Sequence, residues 1–214
     1  PRTLRHELSN PMSAIQTSLE VWSDEQDPEQ QARLRATAER GIQKLESTLA
    51  KVTEAASLEE ALRDEDQHRF NVARITRDAV ASIERTVADR TWMTEISDET
   101  IVILGNDLRF EQMLDKLLDN ACDFTPEEGV ITVGLSDQIN SVSLWVENEG
   151  SSLQVQDRVD AFQMFSGTRN DSTGSHLGLG LYVVRLIAES MGGQVAIGNT
   201  ERGVRVEVTG LRVP

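Results

Sequence analysis

Apolar residues Leu4, Leu8, Met12, Ile15, Leu19 and Trp22 recur at steps of three and four. After a polar break at Asp24-Glu25-Gln26-Asp27-Pro28, a second run repeats the rhythm: Leu34, Ala38, Ile42, Leu45, Leu49, Val52 and Ala56. A mean step of about 3.5 residues keeps the apolar side chains on one narrow stripe of a helix, the pattern of coiled coils and helical bundles. Two helices joined by a short turn cannot bury such stripes well by themselves. The pattern therefore predicts a helical hairpin over residues 1–64 that pairs with a second copy of itself through residues 1–62, forming a four-helix bundle as a homodimer. The charged stretch Arg63-Asp64-Glu65-Asp66-Gln67 has no apolar period and reads as a linker.

Over residues 65–214 the pattern is mixed. Val72 to Val87 reads as a helix, and Thr100-Ile101-Val102-Ile103-Leu104 as a buried strand. Phe110, Leu114, Leu117, Leu118 and Ala121 share one face of a helix that ends near Pro126. Ile131, Val133 and Leu135 alternate with other residues, as do Val142, Leu144 and Val146, which signals two half-buried strands. A polar stretch from Gly150 to His176 follows, with Phe162 and Phe165 inside it. Then come a helix from Leu179 to Met191 and strands around Val195–Ile197 and Val204–Val208. Helices segregated against an antiparallel-rich sheet predict a two-layer α/β sandwich.

Composition narrows the function. The chain has 36 acidic against 21 basic residues, a net charge of −15, so nucleic acid and anionic membrane surfaces are disfavoured partners. Any nucleotide must be held by local geometry and a metal ion rather than by the overall field. The single cysteine, Cys122, excludes an internal disulfide and fits a reducing compartment. No apolar run approaches the roughly 18–20 residues that cross a bilayer. There is no signal peptide, and the chain opens inside a helical pattern at Pro1-Arg2-Thr3-Leu4, as expected of a fragment without its upstream part.

Four constellations carry chemistry, each with a plainer alternative. In His6-Glu7-Leu8-Ser9-Asn10-Pro11 the histidine falls off the Leu4/Leu8 stripe, so its ring is expected to face solvent. Neutral imidazole is nucleophilic near neutral pH, and an adjacent carboxylate can accept the ring proton or hold the useful tautomer. Pro11 cannot donate to the Glu7 carbonyl and is expected to bend the helix. The alternative is a solvated helix surface with an ordinary histidine. Lys116, Asn120 and Asp123 stand at i, i+4 and i+7 on the polar side of their helix. There the Asn120 amide oxygen can take one Mg²⁺ position while nucleotide phosphates take others; the alternative is a solvated amphipathic face. Gly178-Leu179-Gly180-Leu181 opens a helix, where free N–H groups attract phosphate and glycine permits close approach; the alternative is a tight loop. Asn148, with Gly150 after it at a strand end, offers a polar group to a base edge, or forms a simple turn. No Gly-x-x-x-x-Gly-Lys-[Ser/Thr] loop is present, which disfavours a Walker-type NTPase.

Taken in order, these segments resemble the catalytic half of the sensor histidine kinases of two-component signalling, across nearly the whole chain. His6 to Pro11 resembles the H box, and Asp107 through Pro126, with Asp119-Asn120-Ala121 and Phe124-Thr125-Pro126, the N box. Val146-Glu147-Asn148-Glu149-Gly150 resembles the G1 box, Ala161 to Phe165 the F box, and His176 to Leu181 the G2 box. Met191-Gly192-Gly193 also fits. The resemblance implies a dimeric phosphoacceptor hairpin followed by an ATP-binding domain of the Bergerat (GHKL) type, with residues 150–177 as a lid. It implies ATP and Mg²⁺ as cofactors, autophosphorylation of His6 with Glu7 as base, and phosphatase support from Asn10, which orients water. It also implies a response-regulator receiver domain as partner. The chain would then be the cytoplasmic region of a bacterial sensor anchored in the inner membrane through missing upstream segments.

The chain departs from the family pattern at four places. Asn148 stands where the family has an aspartate that accepts a hydrogen bond from the adenine amino group; an amide accepts it without charge, which predicts weaker ATP binding, and a flipped amide would donate to the guanine O6, which predicts poorer discrimination against GTP. Ser152 replaces the second glycine of that box. Asp123 stands at a usually basic position, and Lys116 at one usually held by asparagine or an acid. Either the two have exchanged charge, Lys116 supplying the phosphate contact, or Lys116 pairs across the surface. These departures motivate a rival: a phosphatase-only protein or scaffold dimer of the same fold. A general ATPase or serine kinase of the GHKL fold would not need the His6 hairpin.

Overall fold

The computed structural model describes residues 2–24, 27–63, 65–96, 100–163 and 179–214. They form two compact units, the first holding the described residues up to Ser57 together with Leu179, the second those from Leu58 to Gln163 and from Gly180 to Pro214, so one division falls inside a helix.

The first unit is the expected helical hairpin: α1 (Arg2–Asp24) and α2 (Pro28–Ala61), whose last turn belongs to the second unit. The turn is set by local chemistry. Asp27 precedes α2, its side chain accepts the Glu29 N–H at 3.0 Å, and Pro28 occupies the first helical position, where a missing N–H costs nothing. Helix α1 runs through Pro11, which is buried. The covered stripes are not those of the largest residues. Pro11, Ser18, Ala38, Gly41, Thr48 and Ala55 are buried, whereas Met12, Leu19, Ile42 and Leu49 are 46–57% exposed. Gly41 explains the close approach: a Cβ there would lie 2.7 Å from Ile15 Cγ1 and 3.1 Å from the Pro11 carbonyl oxygen. Small residues thus face each other within the hairpin, and an adjacent stripe of larger apolar residues is left open.

The second unit is a two-layer sandwich. A short antiparallel pair joins β1 (His68–Asn71) to β3 (Val102–Gly105). The main sheet has the order β2-β4-β5-β7-β6, built from β2 (Thr91–Ile96), β4 (Val130–Gln138), β5 (Ser141–Glu149), β6 (Gln194–Asn199) and β7 (Gly203–Arg212). All its pairings are antiparallel except β2 with β4. The long helices α3 (Val72–Thr86), α4 (Asp107–Phe124) and α6 (Gly180–Ser190) carry the other half of the core; a short α5 spans Val155–Asp160. Ile131, Val133, Leu144, Val146, Val206 and Val208 meet Phe110, Leu114, Leu117, Val184 and Ile187 in one buried cluster.

Leu58, in the last turn of α2, belongs to that same cluster. The polar stretch after it is anchored too. Glu65 pairs with Arg109 of α4, and the Gln67 side chain donates to the Ser190 carbonyl at 3.1 Å. Glu65 and Gln67 of the segment expected to be a charged linker are therefore held on the second unit by ion pair and hydrogen bond.

Candidate nucleotide-binding site

Helix α4 is positioned by its ends and its apolar face. Asn106 caps it, its side-chain oxygen accepting the Arg109 N–H at 3.2 Å. Phe110, Met113, Leu114, Leu117, Leu118 and Ala121 are buried, which fixes the helix rotation. Lys116 and Asn120 then lie half-buried at the margin of that face, one turn apart, and Asp123 is exposed. The surrounding field is acidic. Partial burial, and then the neighbouring Asp119, push the Asp115 carboxyl above its ordinary value, while Lys116 pulls it back. Lys116 is thus a cation set beside the carboxylates of Asp115 and Asp119.

At the C-terminal end of α4 two candidate segments meet. The Thr125 N–H donates to the Ala121 carbonyl at 3.0 Å, and the buried Thr125 hydroxyl donates to the same oxygen at 2.5 Å. Gly150 follows β5 with φ +155°. A Cβ on it would stand 2.6 Å from the Phe124 carbonyl oxygen, so only glycine lets the strand end approach the helix end this closely.

Asn148, on β5, is 5% exposed. Its Nδ2 donates to the Glu149 carbonyl at 3.3 Å. A carbonyl only accepts, so the nitrogen end is assigned by chemistry and the amide oxygen is left as the acceptor. The flanking carboxylates are engaged elsewhere. Glu149 accepts the Val130 N–H at 3.0 Å and faces Arg202 at 3.5 Å; Glu147 pairs with Arg205 at 2.6 Å.

Helix α6 begins at Gly180, where an added Cβ would meet nothing within 4 Å. This holds among the described residues, and a glycine at a helix start suits close approach of a ligand to the backbone. Leu179 is buried, and Leu181 packs against the core. Gly178 lies outside the described residues, as do residues 164–177, half of the segment expected to form the lid. The root of that segment is tied down: Asn199 of β6 accepts the Leu153 N–H at 2.9 Å and donates to the Leu153 carbonyl at 3.0 Å.

The remaining site candidates lie on α1. His6 and Glu7 are within the helix, but their side chains fall outside what is described, and so does the expectation that the His6 ring faces solvent; Asn10 is exposed. Among the described residues no group of three or more His, Cys, Asp or Glu side chains is arranged to hold a metal ion. Two features of the site gave no local signal in the sequence: the Arg90 guanidinium, which donates to the Thr125 carbonyl at 3.0 Å, and the Asn199 clamp. Both act through backbone atoms far away in sequence.

The helical hairpin and the sandwich define a two-part class, a phosphoacceptor module joined to a GHKL-type ATPase module. Residues 2–61 match the His Kinase A (phospho-acceptor) domain, and residues 105–213 match the histidine kinase-, DNA gyrase B- and HSP90-like ATPase domain. The chain belongs to the sensor histidine kinases. It is 25% identical over 203 residues to the sensor protein kinase PmrB of Pseudomonas aeruginosa, covering 95% of this chain and 43% of that protein. With the sensor protein CreC of Escherichia coli it shares 27% over 203 residues, covering 94% and 42%. The chain thus spans less than half the length of these curated relatives. In fold it resembles histidine kinase ThkA, solved in complex with the response regulator protein TrrA (TM-score 0.72, 22% identity, 98% of this chain and 60% of that one). It also resembles the Acinetobacter baumannii histidine kinase AdeS (TM-score 0.63, 20% identity, 97% and 98%). No described helix is long and apolar enough to cross a membrane.

Proposed function

We propose that this chain binds ATP·Mg²⁺ in the second unit, transfers the γ-phosphoryl group to His6, and passes it on to an aspartate of a response-regulator receiver domain. The observation that carries the reading is the pairing, in one chain and in this order, of the phosphoacceptor family with the ATPase family, whose α4, β5 and α6 present Asn120, Asn148 and Gly180 on neighbouring elements. We take residues 1–64 as the dimerisation and phosphotransfer domain and 65–214 as the ATP-binding domain.

Each residue has a physical role in this scheme. The Asn148 oxygen accepts from the adenine amino group, and Gly150 lets the Asn148 segment close on the end of α4. Gly180 and Leu181 open α6, where N–H groups would meet phosphate, and Gly178 and Leu179 precede them in sequence as further candidate phosphate contacts. Asn120 fits a Mg²⁺ ion shared with the nucleotide: a neutral amide oxygen is a hard donor that leaves the other positions to phosphate and water, so no carboxylate cluster is needed. Mg²⁺ there would neutralise phosphate charge. Lys116, one turn away, supplies the positive contact that Asp123 does not, and Lys116→Ala should raise the KM for ATP with little change in kcat. Transfer needs His6 in line with the γ-phosphorus, Glu7 to take the imidazole proton, and charge neutralisation around the moving group. Asn10, exposed beside His6 in the helix, would orient water for dephosphorylation of the partner.

The open stripe of Met12, Leu19, Ile42 and Leu49 supports homodimerisation through the hairpin, since a second copy would cover it. The parent protein is proposed to be a membrane-anchored bacterial sensor whose cytoplasmic region this is.

Intact mass after incubation with ATP and Mg²⁺ tests the function. The chain should gain a single phosphoryl group, lose it to an added receiver domain, and gain none when Mg²⁺ is chelated. Nucleotide binding without any mass gain would favour the phosphatase or scaffold reading motivated by the departures at Asn148, Ser152 and Asp123.

A further inference from the structure

The carbonyl that meets Gly150 belongs to Phe124, the last residue of α4, and the turn follows directly from it, so what fixes this turn also bears on the spacing between helix and strand. Three contacts converge on it from the stretch that leads from α3 into the first residue of β2. The Glu128 N–H donates to the Asp89 carbonyl at 2.8 Å, and the Thr91 N–H donates to the Gly129 carbonyl at 2.9 Å. Between them the Arg90 side chain, 13% exposed, spans the gap. Its Nε donates to the Thr125 carbonyl at 3.0 Å and its Nη1 to the Asp89 carboxylate at 2.5 Å. A guanidinium is suited to this place: it stays charged, its planar fork serves two acceptors at once, and a cation at a helix C-terminus satisfies carbonyls that have no partner in the helix. Glu128 holds φ +63°, a conformation that a non-glycine residue keeps only when its surroundings enforce it.

We propose that Arg90 is a positioning residue for nucleotide binding: from outside the site it clamps the Thr125–Gly129 turn, and thereby holds the Phe124 carbonyl against Gly150 and keeps Asn148 in register with α4. Arg90 touches no nucleotide in this scheme. The inference rests on the reading of Asn120 and Asn148 as nucleotide contacts, and it adds a residue that none of the nucleotide-box motifs includes.

The test uses the full chain with Arg90→Ala, Arg90→Lys and, for comparison, Val195→Ala, which trims a side chain packed on the core from the edge strand β6. Calorimetry with ATP and Mg²⁺ gives Kd, phosphorylation kinetics give KM and kcat, and amide exchange at Glu128 and Gly129 reports the clamp itself. Arg90→Ala should weaken ATP about tenfold in both Kd and KM, the effect of losing a part-buried charge-assisted hydrogen bond to the turn, with kcat within about twofold. Exchange at Glu128 and Gly129 should speed up with or without nucleotide. Arg90→Lys, which keeps the charge but not the fork, should recover part of the affinity. Val195→Ala should lower the melting temperature and leave Kd unchanged. Faster exchange with unchanged Kd would overturn the proposal, and so would an affinity loss no greater than that of Val195→Ala. A wild-type chain that binds no ATP would sink the nucleotide reading and the positioning role with it. In that case the exchange data alone would still report whether Arg90 holds the turn.

Discussion

Replacing Gly150 with alanine tests the junction between helix and strand on which the site depends. The new Cβ would lie 2.6 Å from the Phe124 carbonyl oxygen, where a carbon in close contact with a carbonyl oxygen ordinarily stands about 3.3 Å away. The shortfall of about 0.7 Å cannot be taken up by a side-chain rotation, because the oxygen is backbone in the last turn of α4. Either the strand end or the helix end must move. Overpacking of this kind costs roughly 1–3 kcal/mol, and the φ of +155° at this position adds strain of order 1 kcal/mol for any residue with a Cβ. The sum, about 2–4 kcal/mol, corresponds to a fall of about 4–16 °C in the melting temperature of a domain of this size. Displacing the Asn148 segment from α4 should weaken ATP at least about tenfold, as one lost contact of ~1.4 kcal/mol would. Thermal denaturation followed by circular dichroism and nucleotide calorimetry read the two effects separately. A Gly150→Ala chain that melts within about 2 °C of wild type and binds ATP equally well would refute the close approach as the reason for glycine.

Gly41→Ala should loosen the hairpin, since its Cβ would press on Ile15 at 2.7 Å and on the Pro11 carbonyl at 3.1 Å; sedimentation should show weaker dimerisation, and an unchanged dimer would contradict the packing. Because the Asn148 nitrogen is committed to the Glu149 carbonyl, the wild-type site should prefer ATP strongly over GTP, and Asn148→Asp, which sets a carboxylate against that carbonyl, should lower the melting temperature of the nucleotide-free chain. Equal competition by GTP would show that the amide flips. Asp115 has a folded pKa raised first by burial and then by Asp119, so its ionisation disfavours the folded state once the pH rises through its titration. Asp115→Asn should therefore raise the melting temperature at pH 7 by about 1–2 °C. About a unit or more below the ordinary aspartate value of about 3.9, where the carboxyl is protonated in both states, the gain should vanish; a gain that persists there would rule out charge as its cause.

Much of the architecture was legible because the relevant signals are local. The heptad steps marked both hairpin helices, and the apolar face from Phe110 to Ala121 marked α4 almost to its end at Phe124. The alternations at 131–135 and 142–146 located β4 and β5. Strand β2 was missed because its burial is slight: Thr91, Met93, Thr94 and Glu95 are exposed, and only Trp92 and Ile96 turn inward, so no alternation appears. Strand β1 and helix α5, with 4 and 6 residues, are too short to show a period. The hairpin seam was legible in period but not in face. Heptad spacing suits both the stripe packed within the hairpin and the one beside it, and only the three-dimensional closeness at Gly41 tells them apart. The stretch at 63–67 looked free because charge dominates it, yet Glu65 and Gln67 are anchored by Arg109 and the Ser190 carbonyl, partners far away along the chain. The same limit hid Arg90, a lone basic residue in a turn whose acceptor is a backbone oxygen 35 positions away.

The central claim is that His6 receives the γ-phosphoryl group of ATP. It is tested most directly by incubating the chain with Mg²⁺ and γ-labelled ATP beside His6→Gln and challenging the label with acid and alkali. A phosphoramidate is acid-labile and alkali-stable, so the account predicts label on the wild type that acid removes and alkali spares, and none on His6→Gln. Acid-stable label that survives in His6→Gln would contradict it.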